Sequence, residues 1–223
     1  ALTLCIPAFP ALAHNLHVSA DSVKFSLTLF LLAYGVSQLL YGPLSDSYGR
    51  KKVLIAGLCI MLIGSVITPF VHQFALFNVA RILQGFGAGA TMVLIRASLR
   101  DVTAGTEYSK SMAYLSMGFA IGLGLFPLFG GLLSHWHHWQ AVFVFLVVVT
   151  LLMLIAVSLF YPETLSSKDE SQNATAFDFK RTLQQYGAVV SSALFWFFFC
   201  GGMCIYAVVL TYNVMTPFLV QQS

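Results

Sequence analysis

The sequence predicts an all-α membrane protein in which six transmembrane helices form one bundle and a seventh follows a polar loop. Its 223 residues are 58% hydrophobic and only 9% charged, whereas a soluble domain carries about 25% charged residues. The mean hydropathy of +0.84 is too high for a chain of this length with a water-facing surface. Apolar stretches near the length that a bilayer requires, about 20 residues, recur along the chain.

Seven apolar segments follow one another, and we number them in chain order. The first is expected to be the end of a truncated helix, and the last contains Pro217 and is expected to bend or end early. The pattern predicts a six-helix bundle at 1–161, a polar central loop at 162–186 and a seventh transmembrane helix at 187–219. The segments span 1–13, 25–44, 53–71, 75–98, 110–133, 139–161 and 187–219.

Positive charges lie on one side of this arrangement. The loops after odd-numbered segments contain only Lys24 among their Lys and Arg residues. Since Lys and Arg collect on the cytoplasmic side of a membrane, the start of the chain is predicted to be cytoplasmic. The loops after even-numbered segments, with the adjoining helix ends, carry Arg50, Lys51, Lys52, Arg96, Arg100, Lys110, Lys168, Lys180 and Arg181.

Several function classes lack a signature in this sequence. There is no H-E-x-x-H or G-x-S-x-G motif and no intramembrane pair of acids, so an enzyme is not expected. His135, His137 and His138 lie together, but without a neighbouring cysteine or carboxylate they do not predict a metal site. No cofactor is predicted. The net charge of +3 is spread out, which gives no indication of nucleic-acid binding.

The strongest motif begins at Gly42, between segments two and three, and reads G-P-L-S-D-S-Y-G-R-K-K. The segment is expected to be a tight turn, in which Gly42 and Gly49 permit close backbone approach or unusual dihedrals. Asp46 lies near the C-terminal end of a helix, where the dipole disfavours a carboxylate, so it should pair with Arg50 or with another helix N-terminus. A cytoplasmic anchor explains Arg50 and Lys51 but leaves the acid and the paired glycines unexplained.

The second motif places Arg81 inside the apolar fourth segment, about two turns from its outer end. A buried arginine usually faces the bundle interior or a water-filled cavity. Gln84 lies one turn along on the same face, and Gly85 and Gly89 form a G-x-x-x-G surface for close helix contact. The alternative is an arginine that extends to the outer interface.

The third motif lies in segment five and combines small residues with a proline. This combination predicts a kinked helix that other helices approach closely, although glycines alone also occur in ordinary helix packing. Its residues are Gly122, Pro127, Gly130 and Gly131.

In this order the motifs resemble those of the major facilitator superfamily. The first resembles its loop signature G-x-L-[AS]-D-x-x-G-[RK]-[RK], the second its helix-four motif R-x-x-q-G, and the third its exporter motif g-x-x-x-G-P-x-x-G-G. Phe126 stands where the exporter motif has glycine. Pro-Glu-Thr-Leu at 162–165 adds a resemblance to the Bcr/CflA-like drug-resistance subfamily of drug:proton antiporters, and the resemblance covers essentially the whole chain.

The resemblance implies a secondary transporter of the bacterial inner membrane that exports small amphipathic or cationic compounds by alternating access, coupled to protons. Asp46 and Arg50 would form a cytoplasmic latch between two six-helix halves, and Arg81 would serve substrate or proton coupling. A full member has twelve helices, so about five helices of a C-terminal half are expected to be missing. A specific metabolite or siderophore transporter, or a truncated scaffold that does not transport, are the alternatives.

Uncharged polar residues inside the segments are candidates to line a substrate site. Aromatic and amide side chains suit flat, amphipathic or cationic compounds, but each also suits a helix-to-helix hydrogen bond. All eight acids lie in loops or at helix ends, so the proton-coupling acid stays unassigned. The substrate-site candidates are Tyr34, Gln38, Asn78, Tyr114, Tyr206 and Asn213.

Overall fold

A computed structural model describes residues 2–5, 9–136, 139–165, 179–204 and 207. These residues form helices and connecting turns and contain no β-strand. The chain forms two compact units that divide between residues 176 and 177.

The first unit is a helical bundle. A 3₁₀ turn at Thr68–Phe70 follows its fourth helix. Its helices are α1 (Leu2–Cys5), α2 (Phe9–Asn15), α3 (Ala20–Tyr48), α4 (Arg50–Ile67), α5 (Phe74–Val102), α6 (Gly105–Trp136) and α7 (Gln140–Phe160). In the second unit, α8 (Phe179–Val190) precedes α9 (Ala193–Cys204).

Five helices of the first unit are long and apolar enough to cross a membrane, and each overlaps almost completely with one of the predicted segments two to six. Helices α3, α5 and α6 run past their predicted ends: α3, for example, covers residues 20–48 where the apolar pattern marks 25–44. Helix α7 (Gln140–Phe160) is instead one residue shorter at each end than the predicted 139–161. Polar flanking residues continue the helices, and hydropathy alone does not detect them. The spans are Asp21–Tyr48, Arg50–Phe70, Phe74–Val102, Gly105–Leu133 and Gln140–Phe160.

The two outer segments differ from their predictions. Segment one contains α1 and α2 on either side of residues 6–8, which lie outside the described ranges, and α2 continues to Asn15. The prediction of a polar central loop at 162–186 is wrong for its last eight residues, because α8 begins at Phe179. Apolar residues at 179, 183, 186 and 190 recur at helical spacing, which favours an amphipathic helix there. Residues 208–223, with the expected bend at Pro217, lie outside the described part of the chain.

Helix α5 lies at the centre of the first unit, between α3 and α4. A Cβ atom at Gly85 would lie 2.3 Å from the carbonyl oxygen of Phe30 in α3. On the opposite face, a Cβ atom at Gly87 would lie 2.4 Å from the carbonyl oxygen of Gly57 in α4. Only glycine permits these backbone approaches, so the glycines of α5 determine the spacing of three helices.

Buried side chains form a cluster toward each end of the bundle. At the end that holds Gly49, α3, α5 and α7 finish and α4 and α6 begin, and we call it the Gly49 end. Its cluster includes Tyr41, Leu54 and Leu94. The opposite cluster includes Phe77 and Phe143, whose rings meet edge to face with centroids 6.1 Å apart.

Candidate functional site

The chain reverses between α3 and α4 at one residue. Gly49 has φ 94° and ψ 145°, in a region that residues with a side chain rarely adopt. The prediction that Gly42 also belongs to this turn is wrong, because α3 continues through Gly42 and Pro43 to Tyr48. The turn is therefore tighter than the motif indicated, and Asp46 and Arg50 lie on its two sides.

Arg50 is the buried centre of a charged cluster at the Gly49 end. Its guanidinium Nη1 lies 2.5 Å from Asp46 Oδ1, and its Nε donates to Asp101 Oδ2 at 3.0 Å. Nη1 also donates to Ser45 Oγ at 2.5 Å. The Arg50 side chain is only 5% exposed, whereas that of Asp46 is 52% exposed. Burial lowers the local dielectric, so these ion pairs are stronger than pairs in open water.

A third carboxylate, Glu163, holds the N-terminus of α4. Its Oε1 accepts the backbone N–H of Arg50 at 2.9 Å, and its Oε2 accepts that of Lys51 at 3.2 Å. Gly49, the N-cap residue, has no side chain to satisfy these amides. A Cβ atom at Gly49 would lie 2.7 Å from Glu163 Oε2. The absent side chain of Gly49 thus admits the carboxylate that caps the helix.

The segment that follows α7 is also fastened to α5. The hydroxyl of Tyr161 hydrogen-bonds with Ser98 Oγ, and Thr164 Oγ1 donates to the same oxygen at 3.1 Å. Helices α3, α4 and α5 and the residues after α7 therefore meet at one site. We call it the latch cluster: Ser45, Asp46, Gly49, Arg50, Asp101 and Glu163.

Arg81 lies in the bundle interior and not at its surface. It has no exposed area, and its guanidinium lies 4.6 Å above the ring of Phe30 in α3. Its Nη1 donates to Gln84 Oε1 at 2.8 Å and lies 3.9 Å from Cys5 Sγ in α1. The alternative in which Arg81 extends to the interface is wrong for this structure.

Gln84 connects Arg81 to α4. Its Nε2 donates to Thr68 Oγ1 at 3.1 Å and to Ser65 Oγ at 3.4 Å. Nε and Nη2 of Arg81 have no hydrogen-bond partner, and no acid pairs with Arg81 in the described part of the chain. Arg81 is therefore a buried cation with unused hydrogen-bond donors. It contacts α1 and α3 directly and α4 through Gln84. We call this the Arg81 cluster: Cys5, Phe30, Ser65, Thr68, Arg81 and Gln84.

The helix-five motif lies in α6, which continues through Pro127 to Trp136. A Cβ atom at Gly130 would lie 2.1 Å from the carbonyl oxygen of Leu4, so this glycine permits close contact with α1. At Gly122 a Cβ atom would meet only the Phe126 ring of the same helix, at 3.0 Å. Gly131 has nothing within 4 Å of such an atom. The motif thus provides one close helix contact among the described residues.

The four substrate-site candidates that the structure describes differ in burial and in surroundings. The ring of Tyr34 stacks on Phe30, the ring that also contacts Arg81, with centroids 6.3 Å apart. Gln38 and Asn78 are half-buried, and Asn78 Oδ1 has no partner among the described residues. Tyr114 is 69% exposed. Tyr206 and Asn213 lie outside the described ranges.

Sequence reasoning missed Asp101 and Glu163 as partners of Arg50. Both lie far from it in the chain, with separations of 51 and 113 residues. The resemblance to the drug-resistance subfamily includes residues 162–165 but does not indicate that Glu163 contacts Arg50. An acid directly after an apolar helix, on the same side as an uncapped helix start, is the signal that predicts such a cap.

Comparison with known proteins identifies a family that covers the whole chain and relatives that cover 71–74% of it. The sequence profile described as Major Facilitator Superfamily matches residues 1–223. Multidrug resistance protein D of Escherichia coli K12 is 34% identical over 74% of this chain and 42% of its own length. The Bicyclomycin resistance protein homolog of Haemophilus influenzae is 31% identical over 71% and 40%. A Chloramphenicol resistance protein of Pseudomonas aeruginosa is 34% identical over 73% and 39%.

A solved structure shares the fold. The human organic anion transporter MFSD10 (TETRAN) superposes with a TM-score of 0.58 at 22% identity, covering 80% of this chain and 44% of that one. The predicted all-α membrane fold and the predicted resemblance to drug-resistance proteins are both confirmed. The chain spans about two fifths of the length of the curated relatives that it matches.

Proposed function

Because the chain belongs to the Major Facilitator Superfamily, we propose that it forms the N-terminal six-helix half, and the start of the second half, of a multidrug efflux transporter. Its substrates are small amphipathic or cationic compounds, and it works by alternating access with proton coupling. The relatives named for resistance to several drugs, bicyclomycin or chloramphenicol support this class. The same machinery in a metabolite or siderophore transporter is the alternative.

The latch cluster carries the proposal. An ion pair that only anchors a loop needs one acid, but Arg50 binds two and its backbone binds a third. Asp46 is half exposed at the Gly49 end, so a second helical half could reach it. In the proposed cycle, the latch cluster closes against that half in one state and releases it in the other, which gives two discrete arrangements of one interface.

The Arg81 cluster is the proposed coupling site. Arg81 keeps unpaired donors in the bundle interior, and a buried cation without an acid is costly. A carboxylate from the second half or an electronegative group of a substrate would relieve this cost. Binding there would favour the state in which the group reaches Arg81, and this preference couples ligand or proton binding to alternation.

The proposed location is the bacterial inner membrane, with the Gly49 end in the cytoplasm. The positive charges at the turns of this end support the orientation. Reporter fusions test it: a fluorescent protein joined after residue 104 should fluoresce in the cytoplasm, and a periplasmic phosphatase joined there should be inactive. Active phosphatase after residue 104 would reverse the orientation.

The deciding experiment expresses the gene that encodes this chain in an efflux-deficient bacterium. We expect reduced drug susceptibility and dye efflux that a protonophore abolishes. Asp46→Asn and Arg81→Ala should lower efflux, whereas Glu107→Gln and Arg100→Gln, exposed residues of the same charge types, should not. Inward accumulation of the dye would show that the protein imports its substrates. Full efflux by both Asp46→Asn and Arg81→Ala would show that neither residue is needed for transport.

A further inference from the structure

A cleft between α5 and α6 at the Gly49 end belongs to neither cluster. Its volume is about 370 Å³. Helix α5 contributes Met92 and Arg96, and α6 contributes Tyr108, Met112, Leu115 and Phe119. From the charge and shape of this Arg96 cleft, we propose that it binds an anionic phospholipid, with the phosphate on Arg96 and an acyl chain along α6.

The charge at the mouth of the cleft selects an anion. Arg96 is exposed, and it forms no ion pair or hydrogen bond with the described residues. The nearby acids are already paired: Asp101 binds Arg50 at 3.0 Å, and Glu107 binds Lys110 at 2.9 Å. Arg96 is therefore an unneutralised guanidinium, whose planar donors match the oxygens of a phosphate.

The wall of the cleft fits a flexible apolar chain. Its α6 residues recur at helical spacing from Tyr108 to Phe119, a stripe about 16 Å long by helical rise. Met92 and Met112 contribute adaptable thioether side chains, which accommodate apolar groups without one fixed shape. A small free anion would use Arg96 but leave this stripe uncovered, so the whole cleft fits an amphipathic anion better.

Position in the fold favours a lipid over a soluble ligand. The cleft lies close to the turn at 103–104, where α5 ends and α6 begins, so Arg96 is near the membrane surface in the proposed orientation. Basic sites between transmembrane helices on the cytoplasmic side bind anionic lipid headgroups in this way. The hydroxyl of Tyr108 at the same level provides one more donor, which is without a partner in the described ranges.

The test measures lipid retention by the purified product of the full gene in detergent, using native mass spectrometry. The probes are phosphatidylglycerol, phosphatidylethanolamine with the same chains, and glycerol phosphate. Wild-type protein should retain phosphatidylglycerol most strongly. Arg96→Gln should retain it about fivefold less, the effect of one cation near the membrane surface. Arg96→Lys should keep most of the retention, because it preserves the charge.

Arg100→Gln is the matched control, since Arg100 is exposed one turn further along α5 and does not line the cleft. It should retain phosphatidylglycerol like the wild type. Equal retention by Arg96→Gln and wild type would overturn the proposal, as would an equal loss in both Gln variants. Complete displacement of the lipid by glycerol phosphate would also overturn it, because the apolar wall would then contribute nothing.

Discussion

The side chain of Glu163 binds Arg50 at its backbone amide and not at its guanidinium. The carboxylate of Glu163 accepts the Arg50 amide at 2.9 Å, while the Arg50 guanidinium extends to Asp46 and Asp101. The peptide group and the side chain of one residue therefore connect the end of α7 with α3 and α5. Since α4 begins at Arg50, any movement of the residues after α7 acts on the start of α4.

Replacing Glu163 with Gln should destabilise the bundle and weaken transport. The amide oxygen of Gln can accept one of the two α4 amides, but the charge that favours a helix N-terminus is lost. Loss of a helix cap costs about 1 kcal/mol. Thermal unfolding of the purified protein should show a lower Tm, and Glu163→Ala should show a larger decrease.

Glu107→Gln is the control for this prediction, because Glu107 pairs only with exposed Lys110 in the first turn of α6. Surface pairs of this kind contribute little, so its Tm should stay close to that of the wild type. Equal Tm decreases for the two glutamine variants would show that the Glu163 carboxylate does not stabilise the N-terminus of α4.

Gly49→Ala should be more damaging than an ordinary glycine replacement. The variant places a side chain on a residue with φ 94° and directs it toward Glu163 Oε2. Strained backbone of this kind costs about 1–3 kcal/mol, before the displacement of the carboxylate is counted. The comparison is Gly105→Ala, at φ 55° with open space around it, which carries backbone strain without the clash. A larger loss of Tm for Gly105→Ala than for Gly49→Ala would contradict this account.

Most of the fold was predictable because the hydropathy of a segment shows whether lipid or water surrounds it. Segments two to six coincide with α3 to α7, since a bilayer imposes length and composition on each helix separately. The beginning of α8 was not predicted, because residues 179–186 are on average polar. Their helical period becomes visible only when apolar positions are read every three or four residues.

The candidate site was predictable only where its partners are close in sequence. Asp46 and Arg50 are four residues apart, so the pair follows from the local motif. Asp101 and Ser65 reach their partners from other helices, and Glu163 and Thr68 do so from the segments that follow α7 and α4. Hydropathy contains no information on helix rotation or pairing. Close approach at Gly85 brings Phe30 near Arg81, and a sequence shows only that such an approach is permitted.

Arg50→Lys should impair transport although it preserves the charge. Arg50 binds Asp46 through Nη1 and Asp101 through Nε, two separate directions of one planar group. A lysine ammonium is a point charge on a flexible chain and cannot reproduce this fork. Dye efflux should fall several-fold. Lys52→Arg, at an exposed neighbouring position, should have no effect. Wild-type efflux by Arg50→Lys would show that the latch needs only charge.

Arg81→Lys should abolish proton coupling while lowering the stability of the folded protein only slightly. Lysine keeps a cation in the bundle but cannot both donate to Gln84 and contact the face of the Phe30 ring as the branched guanidinium does. Efflux should lose its response to a protonophore, or fall to background, while the protein still purifies as a folded species. Gln84→Ala tests the same cluster, since it leaves one more Arg81 donor unpaired. If the Arg81→Lys protein showed wild-type efflux that a protonophore abolishes, Arg81 would have no part in proton coupling.

Gly85→Ala should separate α3 from α5, and Gly118→Ala should not affect the bundle. At Gly85 the new methyl group would lie 2.3 Å from the Phe30 carbonyl oxygen, so the helices must move apart or the backbone must deform. Overpacking of this kind costs about 1–3 kcal/mol. At Gly118 nothing described lies within 4 Å of the new atom, and alanine restricts the unfolded chain, so Tm should stay level or rise slightly.

Because Phe30 also contacts Arg81, Gly85→Ala should lower efflux as well as Tm. A lower Tm with unchanged efflux would mean that the spacing of α3 and α5 does not control the Arg81 cluster.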